Sequence, residues 1–285
     1  MHCPFFYMQT SQVKTISILG CGWYGLPLAK ALLALGHHVK GSTTSQDKLS
    51  LLTESGIGAY LLNLDPGNSI NASDFFKSDL LIVCLPPKRN SDHLLSYTKK
   101  ISKIADLAIQ YKTAQILYIS STSVYQEENQ IVDESTIPRP ETPSAKQILQ
   151  AEQLLKGTTF FETTIIRFGG LIGPGRLPGR FFSGKKNIPN GKAPINLIHL
   201  TDCIGLTLHI IQNGAFGHIY NACGPDHPEK QVFYTQATRT LNLEAPEFID
   251  ELREWKIISS IQVPNFLEYS YKVNNWMNWL NDNPN

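Results

Sequence analysis

The 285-residue chain carries 25 Lys and Arg against 24 Asp and Glu, a formal net charge of +1, so it has no global field to recruit nucleic acid or an anionic membrane. No apolar run approaches the roughly 20 residues that span a bilayer, and the five cysteines (Cys3, Cys21, Cys84, Cys203, Cys223) form no C-x-x-C or Cys/His cluster fit for zinc. The remaining expectation is a small-molecule partner, no metal, and a reducing, cytoplasmic setting.

Residues 1–12 read as an N-terminal extension, since they lack the basic region and long apolar run of a signal peptide. From Val13 onward, apolar runs alternate with segments of helical period. Strands are predicted at Lys14–Leu19, His38–Ser42, Gly58–Leu64, Asp79–Leu85, Gln115–Ser120 and Thr163–Phe168, with helices at Gly25–Leu35, Gln46–Glu54, Ser91–Lys112 and Ser144–Lys156. The run Leu80 to Leu85 is apolar throughout, as in a strand covered on both faces. The pattern is α/β: a Rossmann, doubly wound parallel sheet over residues 13–168. After Phe168 comes a Gly/Pro-rich stretch to Pro194, then a helix at Thr201–Gln212 and a strand at His218–Cys223. Residues 169–285 are therefore expected to form a smaller, mainly substrate-facing region, with some segments returning to the Rossmann core.

Between the first strand and the first helix lies Gly20-Cys21-Gly22-Trp23-Tyr24-Gly25, a G-x-G-x-x-G turn. Gly20 permits the tight turn, Gly22 admits a pyrophosphate, Gly25 lets helix and strand approach, and the helix N-terminus supplies amide donors and positive dipole. Three glycines at this spacing are weak evidence alone and strong evidence at the end of the first strand of a βαβ unit. All six residues are cofactor-binding candidates. The acid that grips an NAD ribose about 20 positions onward is missing. Ser42, Thr43, Thr44 and Lys48 stand there instead, which suits a 2′-phosphate, so NADP is the expected cofactor and NAD the alternative. The other reading of Ser42 to Ser45 is as caps of the next helix. Leu85, Pro86 and Pro87, followed by Lys88 and Arg89, trail the fourth strand at the carboxyl edge, where open α/β sheets bind ligands.

Further motifs resemble the extended short-chain dehydrogenase/reductases, the NAD-dependent epimerase/dehydratase family that includes nucleotide-sugar enzymes. They are Ile119-Ser120-Ser121-Thr122-Ser123-Val124-Tyr125, Arg167-Phe168-Gly169-Gly170-Leu171-Ile172-Gly173-Pro174-Gly175, Ile198-His199-Leu200-Thr201-Asp202 and Tyr220-Asn221-Ala222, in the family's order. The glycine turn with its tryptophan, the G-S-x-T-x-Q-D run from Gly41 to Asp47 and the loop from Gly173 to Phe182 are similar to an atypical, YeeZ-like branch. The resemblance implies that Ser121 meets the reacting oxygen, that Ser120 lies beside the cofactor, and that Thr122 is on the substrate side. It also implies a homodimer through the helices Ser91–Lys112 and Ser144–Lys156.

One departure is decisive. The family's Y-x-x-x-K pair, in which lysine lowers the tyrosine pKa for proton exchange, is absent. Counting back from Glu152 puts Ser144 at the tyrosine position and Ile148 at the lysine position, and no tyrosine anywhere in the chain has a lysine four residues later. Candidate proton donors are then Tyr125, Lys146, Lys88 or a bound water, with Ser121 and Tyr125 the catalytic candidates and Ser144 on the substrate side.

Arg176 and Arg180 sit four apart in the Gly/Pro loop, and guanidinium forks suit a phosphate- or carboxylate-bearing substrate. Surface charge is the other reading. Lys185, Lys186 and Lys192 could extend a positive patch. His199 and Asp202 precede a helix that Thr201 or Asp202 is expected to cap. Cys21 is either a thiol activated by the helix N-terminus or a small buried filler. Two functions compete: an NAD(P)-dependent epimerase, dehydratase or reductase acting on an anionic sugar-like or carbonyl substrate, and a non-catalytic dinucleotide-binding redox sensor or regulatory module.

Overall fold

The computed structural model describes residues 13–65, 73–87 and 94–282; the expected extension, Lys88 and Arg89 lie outside them. Strand β1 (Thr15–Leu19) leads through the glycine turn into helix α1 (Gly25–Ala34), then β2 (His38–Thr43), α2 (Asp47–Glu54), β3 (Gly58–Leu61), the short α3 (Ser73–Phe76) and β4 (Leu80–Val83). The second half-sheet follows as α4 (Leu94–Gln110), β5 (Gln115–Ser121), β6 (Gln130–Val132), α5 (Pro143–Lys156) and β7 (Glu162–Phe168). Beyond it come β8 (Gly170–Ile172), α6 (Gly179–Phe182), β9 (Leu197–His199), α7 (Leu200–Gln212), β10 (Ile219–Ala222), α8 (Lys230–Thr240), β11 (Lys256–Ile258), α9 (Gln262–Asn265) and α10 (Trp276–Asp282).

Seven strands pair in the order β10-β7-β5-β4-β1-β2-β3, all parallel. The six expected Rossmann strands are all present, and the strand expected at His218–Cys223 is β10, which pairs with β7 in register Ile219↔Ile165 to Ala222↔Phe168 and so returns to the main sheet. The order reverses between β1 and β4, paired Leu19↔Val83, and this switch point is where a ligand crevice opens. Strand alternation sends Ile16, Ile18 and Ile82 to one face, against α1 and α7, and Leu19, Leu81 and Val83 to the other, against α4 and α5. Both faces are covered, which explains the all-apolar β4.

The C-terminal part adds a third cluster, in which Ile172, Leu197, Phe233, Trp276 and Leu280 pack together. Helix α8 was not anticipated, because Gln231, Thr235, Gln236 and Arg239 interrupt its apolar rows. The cap of α7 is also corrected: His199, and neither Thr201 nor Asp202, is the N-cap, its Nδ1 accepting from the Thr201 amide at 3.2 Å. Asp202 lies in the first turn of the helix, 1% exposed, and accepts from the Tyr269 hydroxyl (2.9 Å) and from the amides of Lys272 (2.7 Å) and Val273 (3.1 Å). It thereby ties residues 269–273 to α7. Asp202→Ala should strand these donors and lower stability by about 3 kcal/mol, read from the urea midpoint; a loss under about 1 kcal/mol would mean that the segment is held by packing alone.

Candidate functional site

The groove at the switch point starts from the glycine turn. Gly20 has φ +94°, a left-handed conformation that favours glycine, and its amide donates to Ser42 Oγ at 3.0 Å while the Cys21 amide donates to the Ser42 carbonyl at 2.8 Å. Ser42 is therefore a brace for the turn. A Cβ on Gly25 would stand 2.3 Å from the Gly20 carbonyl oxygen, so only glycine lets α1 start this close to β1. A Cβ on Gly22 would meet nothing within 4 Å. The turn is thus closed at Gly25 and open at Gly22, as a backbone cradle for a phosphate requires.

Two cavities meet at this cradle, sharing Gly20, Gly22, Cys84, Leu85 and Pro86. The outer one, about 490 Å³, runs over the ends of β2 and β3 and is lined by Ser42, Thr43, Thr44 and Lys48, all anticipated, and by Asn63, Leu64 and Asp65, which were not. Asp65 pairs with Lys100 of α4 at 2.7 Å. Its place beyond a strand's carboxyl end was the available signal. Helix α2 has Gln46 as its N-cap, with no side-chain hydrogen bond, so the capping reading of Ser42 to Ser45 does not hold; Thr43 Oγ1 instead accepts from the Ser45 amide (3.1 Å).

The inner cavity, about 360 Å³, has the glycine turn and Leu85-Pro86-Pro87 as one wall, and Ser120, Ser121, Ile148, Phe168 and Gly169 as the other. Its floor holds two tyrosines that the helical and strand patterns concealed. Tyr97 donates to the Leu85 carbonyl at 2.9 Å and accepts from Tyr118 at 2.7 Å, fixing the proline rim. Burial raises both phenols above their ordinary pKa, so neither is poised to give up a proton.

Ser121 faces this cavity, its Oγ accepting from the Ser123 amide at 3.1 Å, which leaves its own O–H to donate. Ser120 donates to Glu152 Oε1 at 2.5 Å. Behind it the Glu152 carboxylate is gripped by Arg167 through Nε (3.0 Å) and Nη2 (2.6 Å), both side chains 3% exposed. Burial opposes the Arg167 charge, and the Glu152 carboxylate more than offsets it, so the guanidinium is held above its ordinary range.

Arg167 Nη1 also donates to the Tyr125 hydroxyl (2.6 Å), which shares its proton between the Asp133 carbonyl (2.9 Å) and Asn221 Oδ1 (3.0 Å). Tyr125 is 2% exposed and does not line the inner cavity. The structure thus separates the two catalytic candidates: Ser121 at the groove, Tyr125 locked in the network behind it. Thr122 is buried in the 3-10 turn after β5. Ser144, in the first turn of α5, is near Thr142 Oγ1 (3.3 Å) and away from the groove, while Ile148 one turn on lines it. Lys146 is exposed.

Cys21 is the filler of the two alternatives: burial pushes its thiol up to about 12, and its Sγ sits where a Gly41 Cβ would be, 2.6 Å away. Tyr24 packs edge-on against Phe168 at 5.3 Å and hydrogen-bonds Thr207 at 2.7 Å. Arg176 reaches the inner cavity, whereas Arg180 is exposed on α6 and lines neither cavity. Of the three lysines that could extend a positive patch, Lys186 pairs with Glu247 (3.1 Å) and Lys192 with Asp250 (2.9 Å), while Lys185 donates to the Phe181 carbonyl (2.8 Å). Among the described residues no cluster of three metal-ligating side chains occurs, and no helix is long and apolar enough to cross a membrane.

A seven-stranded parallel sheet of this order, with a glycine turn at its switch point, is the architecture of the short-chain dehydrogenase/reductases. Solved structures bear this out for the fold. A short-chain dehydrogenase/reductase superfamily protein from Agrobacterium tumefaciens with bound NAD superposes with TM-score 0.78 at 15% identity, covering 95% of this chain and 96% of that one. UDP-glucuronic acid 4-epimerase from Bacillus cereus, in complex with NAD, gives 0.77 at 18%, covering 91% and 92%. No family model matches the chain. Protein YeeZ of Escherichia coli K12 is 38% identical over 265 residues, 91% of this chain and 96% of that protein. The chain belongs to the YeeZ family, and its fold is that of the short-chain dehydrogenase/reductase structures it superposes on.

Proposed function

We propose that the groove holds a nicotinamide dinucleotide, NADP(H) in preference to NAD(H), with the adenosine end over β2 and β3 and the nicotinamide end against Ser121 and Ile148. The observation that carries this reading is the pair of cavities joined at the glycine turn, with open space at Gly22 where a pyrophosphate passes the backbone. The NAD named for the Agrobacterium and Bacillus structures supports it. The fit is good on the chain's own terms: a left-handed Gly20, open space beside Gly22, and an apolar wall for a flat ring.

Bound there, the dinucleotide would supply hydride chemistry. The protein's own part would be to exclude water with Leu85, Pro86 and Pro87 and to hold a substrate oxygen at the Ser121 hydroxyl. The substrate we infer is a small anionic, sugar-like or carbonyl compound, presented by residues 169–285 and reacting without the Tyr/Lys pair. The four described cysteines, all free, agree with a cytoplasmic setting. A second reading, a dinucleotide-binding sensor without turnover, is favoured by Ile148, which puts a hydrocarbon where the family's lysine stands.

Titration with NADPH, NADP, NADH and NAD separates the cofactors, and a panel of nucleotide sugars and carbonyl compounds followed by nicotinamide absorbance separates the two readings. Turnover supports the enzyme. No turnover, with unequal affinities for oxidised and reduced forms, supports the sensor. Lys48→Ala should weaken NADPH about tenfold, on the order of 1.4 kcal/mol, and leave NADH unchanged; equal losses for both would remove the case for NADP.

A further inference from the structure

The loop after β8 was expected to serve the substrate, yet its contacts lead to the glycine turn. Gly173 (φ +144°) and Gly175 (φ +74°) let the chain reverse tightly, the Arg176 amide donating to the Gly173 carbonyl at 2.9 Å. A Cβ on Gly173 would stand 3.2 Å from His199 Nε2 and 3.4 Å from the Trp23 ring, so the loop is seated directly on Trp23, inside the G-x-G-x-x-G turn. Trp23 Nε1 donates to the Pro174 carbonyl at 2.6 Å, and the Arg176 guanidinium lies 5.0 Å from the centre of the Trp23 ring. Stacking and hydrogen bond together hold an exposed cation at the inner cavity, whose wall it shares with Gly20, Gly22 and Gly25. Among the described residues no carboxylate pairs with Arg176.

We propose that Arg176 is a pyrophosphate clamp: a cofactor-binding residue delivered from outside the Rossmann half, which closes over the dinucleotide's diphosphate while the glycine turn holds it from below. This rests on the dinucleotide reading above and changes the role of the loop. A charge placed over a cradle of backbone amides gives a diphosphate what the amides lack, a full countercharge with a fixed fork. The tryptophan is the part that orients it. Arg180, which carries the same charge four residues on but stays on the surface of α6, has no such role.

The test is calorimetric titration of the full chain with NADPH. Arg176→Ala should weaken binding about tenfold, Arg176→Lys should recover only part of the loss, and Trp23→Leu should weaken binding as Arg176→Ala does, because the arginine loses its platform. Arg180→Ala is the control for net charge and should bind as the unmodified protein does. Because Arg176 is exposed, Arg176→Ala should melt at the same temperature, so a binding loss cannot be assigned to unfolding. Two outcomes overturn the clamp while leaving the dinucleotide reading intact: Arg176→Ala within twofold of the unmodified protein, or Arg180→Ala losing as much. If the unmodified protein binds no dinucleotide, the reading of the groove fails and the clamp fails with it.

Discussion

Replacing Arg167 with Leu is expected to lower the stability of the fold by about 3 to 5 kcal/mol, the range for breaking a buried ion pair from one side. The reason is the carboxylate left behind. Glu152 is as buried as its partner, and with Arg167 gone only the Ser120 hydroxyl remains on it. Arg167 also holds the Tyr125 hydroxyl, so the loss runs on to Asn221, whose side-chain amide donates to the Ser259 carbonyl at 3.0 Å. The network joins α5, β5, β7 and β10, the elements behind the inner cavity, and loosening it should disturb Ser120 and Ser121 as well. Urea denaturation measures the effect. Adding Glu152→Leu to Arg167→Leu removes the orphan charge and should recover more than half of the loss, a non-additivity that marks a direct pair. A single-variant loss below about 1 kcal/mol, or simple addition in the double variant, would show that the pair does not hold this wall.

The largest effect on binding should come from Gly22→Asp, which we expect to reduce NADPH affinity at least about a hundredfold, on the order of 3 kcal/mol. Open space around the Gly22 Cβ position means that the fold accepts the side chain. The carboxylate would then occupy the phosphate cradle and repel whatever anion enters it. Gly25→Val should show the opposite pattern. Its Cβ would press on the Gly20 carbonyl oxygen from 2.3 Å, so α1 must shift and stability should fall by about 1 to 3 kcal/mol, as overpacking does. Loss of binding with stability kept at position 22, and loss of stability at position 25, is the signature of a cradle closed on one side and open on the other. A Gly22→Asp variant that unfolds, or that still binds, would contradict it.

Much of this site could be read from residue order alone. The alternation of apolar runs and helical periods located all six strands of the Rossmann half, and the glycine turn located the switch point, because both signals are local in the chain. Boundaries moved where packing decided them: β3 ends at Leu61 where the pattern ran to Leu64, and β4 spans Leu80–Val83 inside the expected Asp79–Leu85. What local signals could not convey is partnership across the sheet. Tyr125 looks like a proton donor in sequence and is a strut in space, because Arg167, 42 residues away, claims its hydroxyl. Ser42 looks like a cap and is a brace for Gly20, 22 residues earlier. The two arginines of the Gly/Pro loop look equivalent four residues apart, and only the position of Trp23 distinguishes them. Asp65, Tyr97 and Tyr118 escaped notice because a strand-end acid and two core tyrosines carry no motif; the topology alone makes them part of a groove.

The central claim is that the switch-point groove binds a nicotinamide dinucleotide, and calorimetric titration of the unmodified chain with NADPH, beside Gly22→Asp as control, tests it most directly. The account predicts one site of micromolar affinity that the variant loses while keeping its melting temperature; no heat from NADPH, NADP, NADH or NAD with the folded, unmodified protein would contradict it.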